Sequence, residues 1–181
     1  MENGRHPRRP LALACGRCTV RSWSLDDVDD LVVAANNRNV WANLRDAFPH
    51  PYGPEHAHAF IASAMTLEPE TRWAIDVDGT AVGSIAIVLQ DDIERVSAEL
   101  GYFLAEPFWG KGIMSDAVRA VTLHAIEAFD LTRVFAVPFA ENAASSRVLE
   151  KAGYTLEGVM RRSALKAGVI RDQRLYAYVA S

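Results

Sequence analysis

The 181-residue sequence predicts one α+β (mixed α/β) domain. Three observations predict it. Short alternating apolar segments gather in the first hundred residues around the hairpin dipeptide Asp78-Gly79. Helical periodicity then takes over at 113–128 and returns at 142–151. Strand-like segments follow each of these helices, so crossover helices extend a sheet that began as hairpins.

Residues 18–23 alternate as a first strand, and Ser24 caps a helix with Asp26 and Asp27 in its first turn. Leu25, Val28, Leu31, Val32 and Ala35 give that helix one apolar face. Three prolines and a glycine make 45–54 a loop, and a second helix covers 55–68. Strands at 73–77 and 82–89 flank the hairpin turn, and another covers 95–104. Ile113, Ala117, Val121, Ala125 and Ala128 mark one face of a long helix. A strand at 131–137, a helix at 142–151 ended by Gly153, and strands at 154–160 and 171–179 complete the order. Residues 1–16 read as a flexible extension and 17–181 as the domain.

Half of the residues are apolar, 23% are charged and the net charge is −4. This is a globular composition without a basic footprint for nucleic acid or a stretch able to span a membrane. Arg5, Arg8 and Arg9 form a solvated basic tail. The apolar run 11–14 is too short for an export signal, so a cytoplasmic protein is expected. Cys15 and Cys18 form one C-x-x-C pair, which lacks the second pair of a zinc site and reads as two incidental reduced thiols. No histidine has metal-ligand spacing, and no metal is expected.

The chemistry is carried by Trp109-Gly110-Lys111-Gly112-Ile113-Met114-Ser115, between a strand and a helix. Its glycines allow a sharp turn, and the unpaired N–H groups of a helix start attract an anion. The segment reads as a pyrophosphate cradle with Lys111 adding charge, or as a tight turn alone. It is neither a Walker A loop nor a complete dinucleotide fingerprint.

The run ELGYFLAEPFWGKGIMSDAV followed by ENAASSRVLEKAGYTLEGVMRR resembles the GNAT acetyltransferase superfamily. More narrowly it resembles the branch of ribosomal-protein N-terminal acetyltransferases. Trp109, Gly112 and Met114 match the acyl-CoA loop; Asn142, Ser145, Lys151, Gly153 and Tyr154 match the second CoA motif. The resemblance implies a twisted, mostly antiparallel sheet of six to seven strands flanked by about four helices. It implies direct transfer of an acetyl group from acetyl-CoA to a primary amine in a ternary complex, without metal, by a monomer or homodimer.

The same resemblance implies roles. Backbone groups of Phe103, Leu104 and Ala105 would hold pantetheine, and Gly110 to Ser115 the pyrophosphate. Asn142 would bond pantetheine, or cap its helix, or both; Arg147 would approach the adenine. Glu99 is the candidate general base, or a solvent-facing strand charge; Glu106 reads as a turn residue. Leu149 stands where many relatives carry a tyrosine acid, leaving Ser145 as the proton donor or a helix cap, with Tyr176 a donor or a core aromatic. Arg45, Asp46, Phe48 and Tyr52 would line the acceptor side, unless Arg45 and Asp46 pair with each other. A peptide or protein α-amine is the expected acceptor, with small amines such as antibiotics as the alternative. A non-catalytic acyl-CoA-binding module is the reading from a different class.

Overall fold

A computed structural model describes residues 10–180. Arg5, Arg8 and Arg9, with most of the expected extension, lie outside the described residues. The strands are β1 (Ala12–Ala14), β2 (Thr19–Arg21), β3 (Arg72–Val77), β4 (Thr80–Leu89), β5 (Ser97–Leu104), β6 (Arg133–Ala136), β7 (Thr155–Lys166) and β8 (Val169–Val179). The helices are α1 (Val28–Ala35), α2 (Arg38–Trp41), α3 (Pro54–Thr66), α4 (Ile113–Phe129) and α5 (Ala143–Lys151). No helix among the described residues is long and apolar enough to cross a membrane.

The eight strands form one sheet in the order β1-β2-β3-β4-β5-β6-β8-β7. Every neighbouring pair is antiparallel except β5 and β6. The count exceeds the expected six to seven because 12–14 pair with β2. Leu11 and Leu13 pack on the core while Ala12 and Ala14 face solvent, a period-two pattern that serves an edge strand. The additional helix α2 is a single turn whose first amides are capped by the Asn37 side chain.

The two faces of the sheet carry two cores. Trp73 and Ile75 of β3 point into one, with Ala117, Val118 and Val121 of α4 and Leu149 of α5. Ala74 points into the other, with Leu31 of α1 and Ile61 of α3. Ser24 caps as expected, by a capping box with Asp27, but the first turn is a 3-10 turn (Leu25–Asp27) before α1 begins. Asp27 is buried there and takes both terminal nitrogens of Arg21 at 2.7–2.8 Å.

One irregularity positions everything that follows. β5 and β6 share only three rungs, Ser97↔Arg133, Ala98↔Val134 and Glu99↔Phe135. β5 stays paired with β4 as far as Leu104. Beyond Glu99, therefore, β5 keeps a strand partner on one side only, and the sheet parts.

Candidate active site

A cleft of ≈ 770 Å³ occupies the parting. It gathers Glu99 and Ser145, most of the loop from Trp109 to Ser115, Asn142 and Arg147, and Arg45 and Asp46 from the opposite wall. Ala105, Lys111, Phe48 and Tyr52 lie off its wall.

The glycine loop follows from β5. A 3-10 turn (Glu106–Phe108) reverses the chain, and the Trp109 indole N–H donates back to the Leu104 carbonyl at 2.7 Å. Gly110 and Gly112 take φ of 74° and 81°, left-handed values that a β-carbon opposes. Gly112 is the N-cap of α4 and no side chain caps that end. Ile113, Met114 and Ser115 bury their side chains, so the helix start offers backbone amides rather than side chains. Those amides, with the positive end of a 17-residue helix behind them, suit an anion. Lys111 is exposed and lies over the Phe108 ring at 5.2 Å. A second cation lies beside the turn: Arg17 bonds Asp116 at 2.7 Å and lies against Gly112.

The backbone of β5 divides its groups by alternation. Ala105 N–H donates to the Val82 carbonyl at 2.8 Å, and the Phe103 carbonyl approaches Gly83 too closely for any β-carbon there. Both thus face β4, which turns the groups of Tyr102 and Leu104 toward the parting. Of the three residues expected to present backbone groups, Leu104 alone faces the cleft by this alternation.

Across the parting, Asn142 caps α5 by accepting from Ser145 N–H at 3.0 Å. Ser145 is buried, and its hydroxyl meets the Tyr102 hydroxyl at 2.7 Å. Burial pushes the Tyr102 phenol up, partly offset by that hydrogen bond, so the phenol keeps its proton at neutral pH. Leu149 is fully buried in the core. Tyr176 is buried too and donates to Glu150 at 3.0 Å, away from the cleft.

The wall expected to face the acceptor differs from the expected arrangement. Arg45 and Asp46 do not pair with each other. Arg45 reaches across to the Glu99 carboxylate, and Asp46 meets Lys166 at 2.9 Å. Lys166 is 1% exposed, with its ammonium 3.9 Å above the Trp41 ring. Adjacent residues of one loop are thus tied to two strands, β5 and β7. Phe48 and Tyr52 stack at 4.9 Å, and Phe48 packs edge-on against Phe103 at 5.4 Å. They buttress β5 from the second core instead of lining the cleft. Glu106 is a turn residue, and its carboxylate accepts from Asn37 and Asn39, which hold its pKa below the ordinary range.

Two cleft residues escaped the sequence reading. Tyr102 looks like any aromatic of a half-buried strand; its signal was a place two residues before the end of the expected strand at 95–104. Lys166 gave none, because a lysine next to a turn reads as exposed.

Residues 17–155 match the family model described as an acetyltransferase (GNAT) domain. An uncharacterized N-acetyltransferase, YoaA, of Bacillus subtilis (strain 168) is 33% identical over 130 residues, 69% of this chain and 73% of that protein. The ribosomal-protein-serine acetyltransferase of Escherichia coli (strain K12) is 31% identical over 97 residues, 52% of this chain and 54% of that protein. A ribosomal L7/L12 α-N-protein acetyltransferase, solved with coenzyme A, superposes with a TM-score of 0.82 at 21% identity, covering 93% of this chain and 98% of that one.

Proposed function

Because this chain belongs to the GNAT acetyltransferase family, we propose that it is an N-acetyltransferase whose donor is acetyl-CoA and whose acceptor is the α-amine of a peptide or protein. The observation that carries the donor half is the parting of β5 from β6 with a glycine-capped helix start at its end. A pantetheine arm takes the place of the missing strand, bonding Tyr102 and Leu104, while the α4 amides and Arg17 receive the pyrophosphate.

The reaction needs a neutral amine, a stabilised tetrahedral oxyanion and a protonated leaving thiol. Glu99 takes the ammonium proton, directly or through a water, once the acceptor displaces Arg45 from it. The amine nitrogen attacks the thioester carbon, and collapse of the intermediate breaks the C–S bond. Ser145 O–H donates to the departing sulfur. Tyr102 O–H, donating to Ser145 Oγ, leaves the serine proton directed at the cleft.

The acceptor half rests on acidity and on kinship. An α-amine has a pKa near 7.7–8.0, so roughly a tenth is already neutral at pH 7, whereas lysine near 10.4 is neutral at about the 10⁻³ level or below. A single carboxylate such as Glu99 is an adequate base for the first and a poor one for the second. Two of the similar proteins are described as acetylating ribosomal proteins. The test is incubation with acetyl-CoA and a mixed library of peptides and small amines, with acetyl groups located by mass spectrometry. Acetylation of free N-termini is expected; acetylation restricted to lysine side chains or small amines overturns the assignment.

A further inference from the structure

The turn Cys15-Gly16-Arg17-Cys18 joins β1 to β2, and its two cysteines have no part in the proposed chemistry. The register runs from Ala14↔Thr19 to Cys15 opposite Cys18, and Cys15 N–H donates to the Cys18 carbonyl at 2.8 Å. Opposed residues of such a rung have Cα atoms about 5.5 Å apart and side chains on one face, inside the roughly 4.4–6.8 Å that a disulfide spans. Both thiols are free, Cys15 in the core and Cys18 half-buried.

The turn is fastened to the glycine loop at three points. Cys18 S–H donates to the carbonyl of Ile113, the first residue of α4, at 3.8 Å. Arg17, between the cysteines, bonds Asp116 in the first turn of α4 at 2.7 Å. Its guanidinium also lies so near Gly112 that an added β-carbon would sit 3.3 Å from Nη1. The Cys18 sulfur also faces Cys15, and when its single proton turns from the Ile113 carbonyl to the Cys15 sulfur it pulls the Cys15 thiol down to about 7 against the opposing effect of burial, which supplies thiolate at neutral pH.

We propose that Cys15 and Cys18 are a redox-active dithiol whose oxidation by peroxide loosens the first turn of α4 and weakens the binding of acyl-CoA. The second half rests on the reading of that loop as the donor site. The Cys15 thiolate attacks one peroxide oxygen; the O–O bond breaks, hydroxide leaves and takes a proton to become water, and Cys15 becomes a sulfenic acid. Cys18 sulfur then attacks the Cys15 sulfur, the S–O bond breaks, and a second water carries off the Cys18 proton. The dithiol is oxidised by two electrons and the peroxide is reduced to two waters. The disulfide removes the S–H that held the Ile113 carbonyl and draws the Arg17 turn toward Cys15.

The experiment treats the full chain with hydrogen peroxide, then with dithiothreitol, beside the double variant Cys15→Ser/Cys18→Ser. Intact mass is expected to fall by two hydrogens in the wild type alone and to recover on reduction. Amides 110–116 are expected to exchange faster in the oxidised protein. Its Kd for acetyl-CoA is expected to rise about three- to ten-fold, the scale of one lost hydrogen bond. Absence of the disulfide, or a disulfide with unchanged exchange and unchanged Kd, overturns the proposal. Failure of the reduced protein to bind acetyl-CoA overturns the donor-site reading instead, and the exchange of amides 110–116 then decides the cysteine proposal by itself.

Discussion

Gly112 separates backbone chemistry from side-chain chemistry most sharply. At φ 81°, any β-carbon is strained and meets Arg17. Gly112→Val is expected to abolish measurable acetyl-CoA binding by calorimetry while the far-ultraviolet circular dichroism stays that of the folded domain. Ser145 and Tyr102 act as one unit at 2.7 Å. Ser145→Ala is expected to lower kcat about ten-fold or more with little change in the Kd of acetyl-CoA. Tyr102→Phe is expected to lower kcat less, and to have no added effect once Ser145 is alanine; full additivity in that double-mutant cycle would separate the two hydroxyls. The glycines were legible because their need for left-handed backbone is written in the residue type. The hydroxyl pair was not, because its members lie 43 residues apart and meet only where the sheet parts.

Among elements, the loop between α2 and α3 and the 3-10 turn before α1 each hold an aspartate paired with a cation, the first exposed and the second buried. Asp46 is largely exposed and Lys166 fully buried, so their bond is worth less than a wholly buried pair and more than a surface one. Lys166→Met keeps the volume and the contact with Trp41 but frees Asp46. Its expected outcome is a raised KM for the acceptor, with the Kd of acetyl-CoA unchanged and Tm within a few degrees of wild type. Asp27 is the buried carboxylate. Burial raises its pKa, but the Arg21 bonds and the Ser24 N–H outweigh that and hold it below the ordinary 3.8. Since its folded-state value is depressed, its stabilisation is full above the unfolded value and is lost as pH falls through the folded one. Asp27→Asn is therefore expected to lower Tm at pH 7, by about 1–3 kcal/mol of stability, with the gap closing below about pH 4. Helices α3, α4 and α5 were readable within two residues of each end from periodicity and caps. The pairing of Arg45 and Asp46 was not, since an arginine and an aspartate side by side suggest a local pair, whereas their partners come from β5 and β7.

At the scale of the molecule, the sheet consists of two halves joined through three parallel rungs. A ligand lying in the parting touches both halves and binds only the folded state. Acetyl-CoA at a hundred times its Kd is expected to add about 2.7 kcal/mol, raising Tm by roughly 5–10 °C in a scanning-fluorescence melt. No shift at that concentration would mean that the cleft does not take the donor. Fold class and the order of elements along the chain followed from the hairpin signal and the crossover helices, whereas the insertion of β8 between β6 and β7 did not. The parting itself was invisible, because β5 reads as one continuous alternating strand whether or not its far side is paired.

The tie between Lys166 and Asp46 spans 120 residues of chain. Synthesis runs from the N-terminus, so the glycine loop, Asn142 and Ser145 all exist before the lysine that holds Asp46. The loop that carries Asp46 and the face of Trp41 thus receive their common partner from one of the last strands to be synthesised.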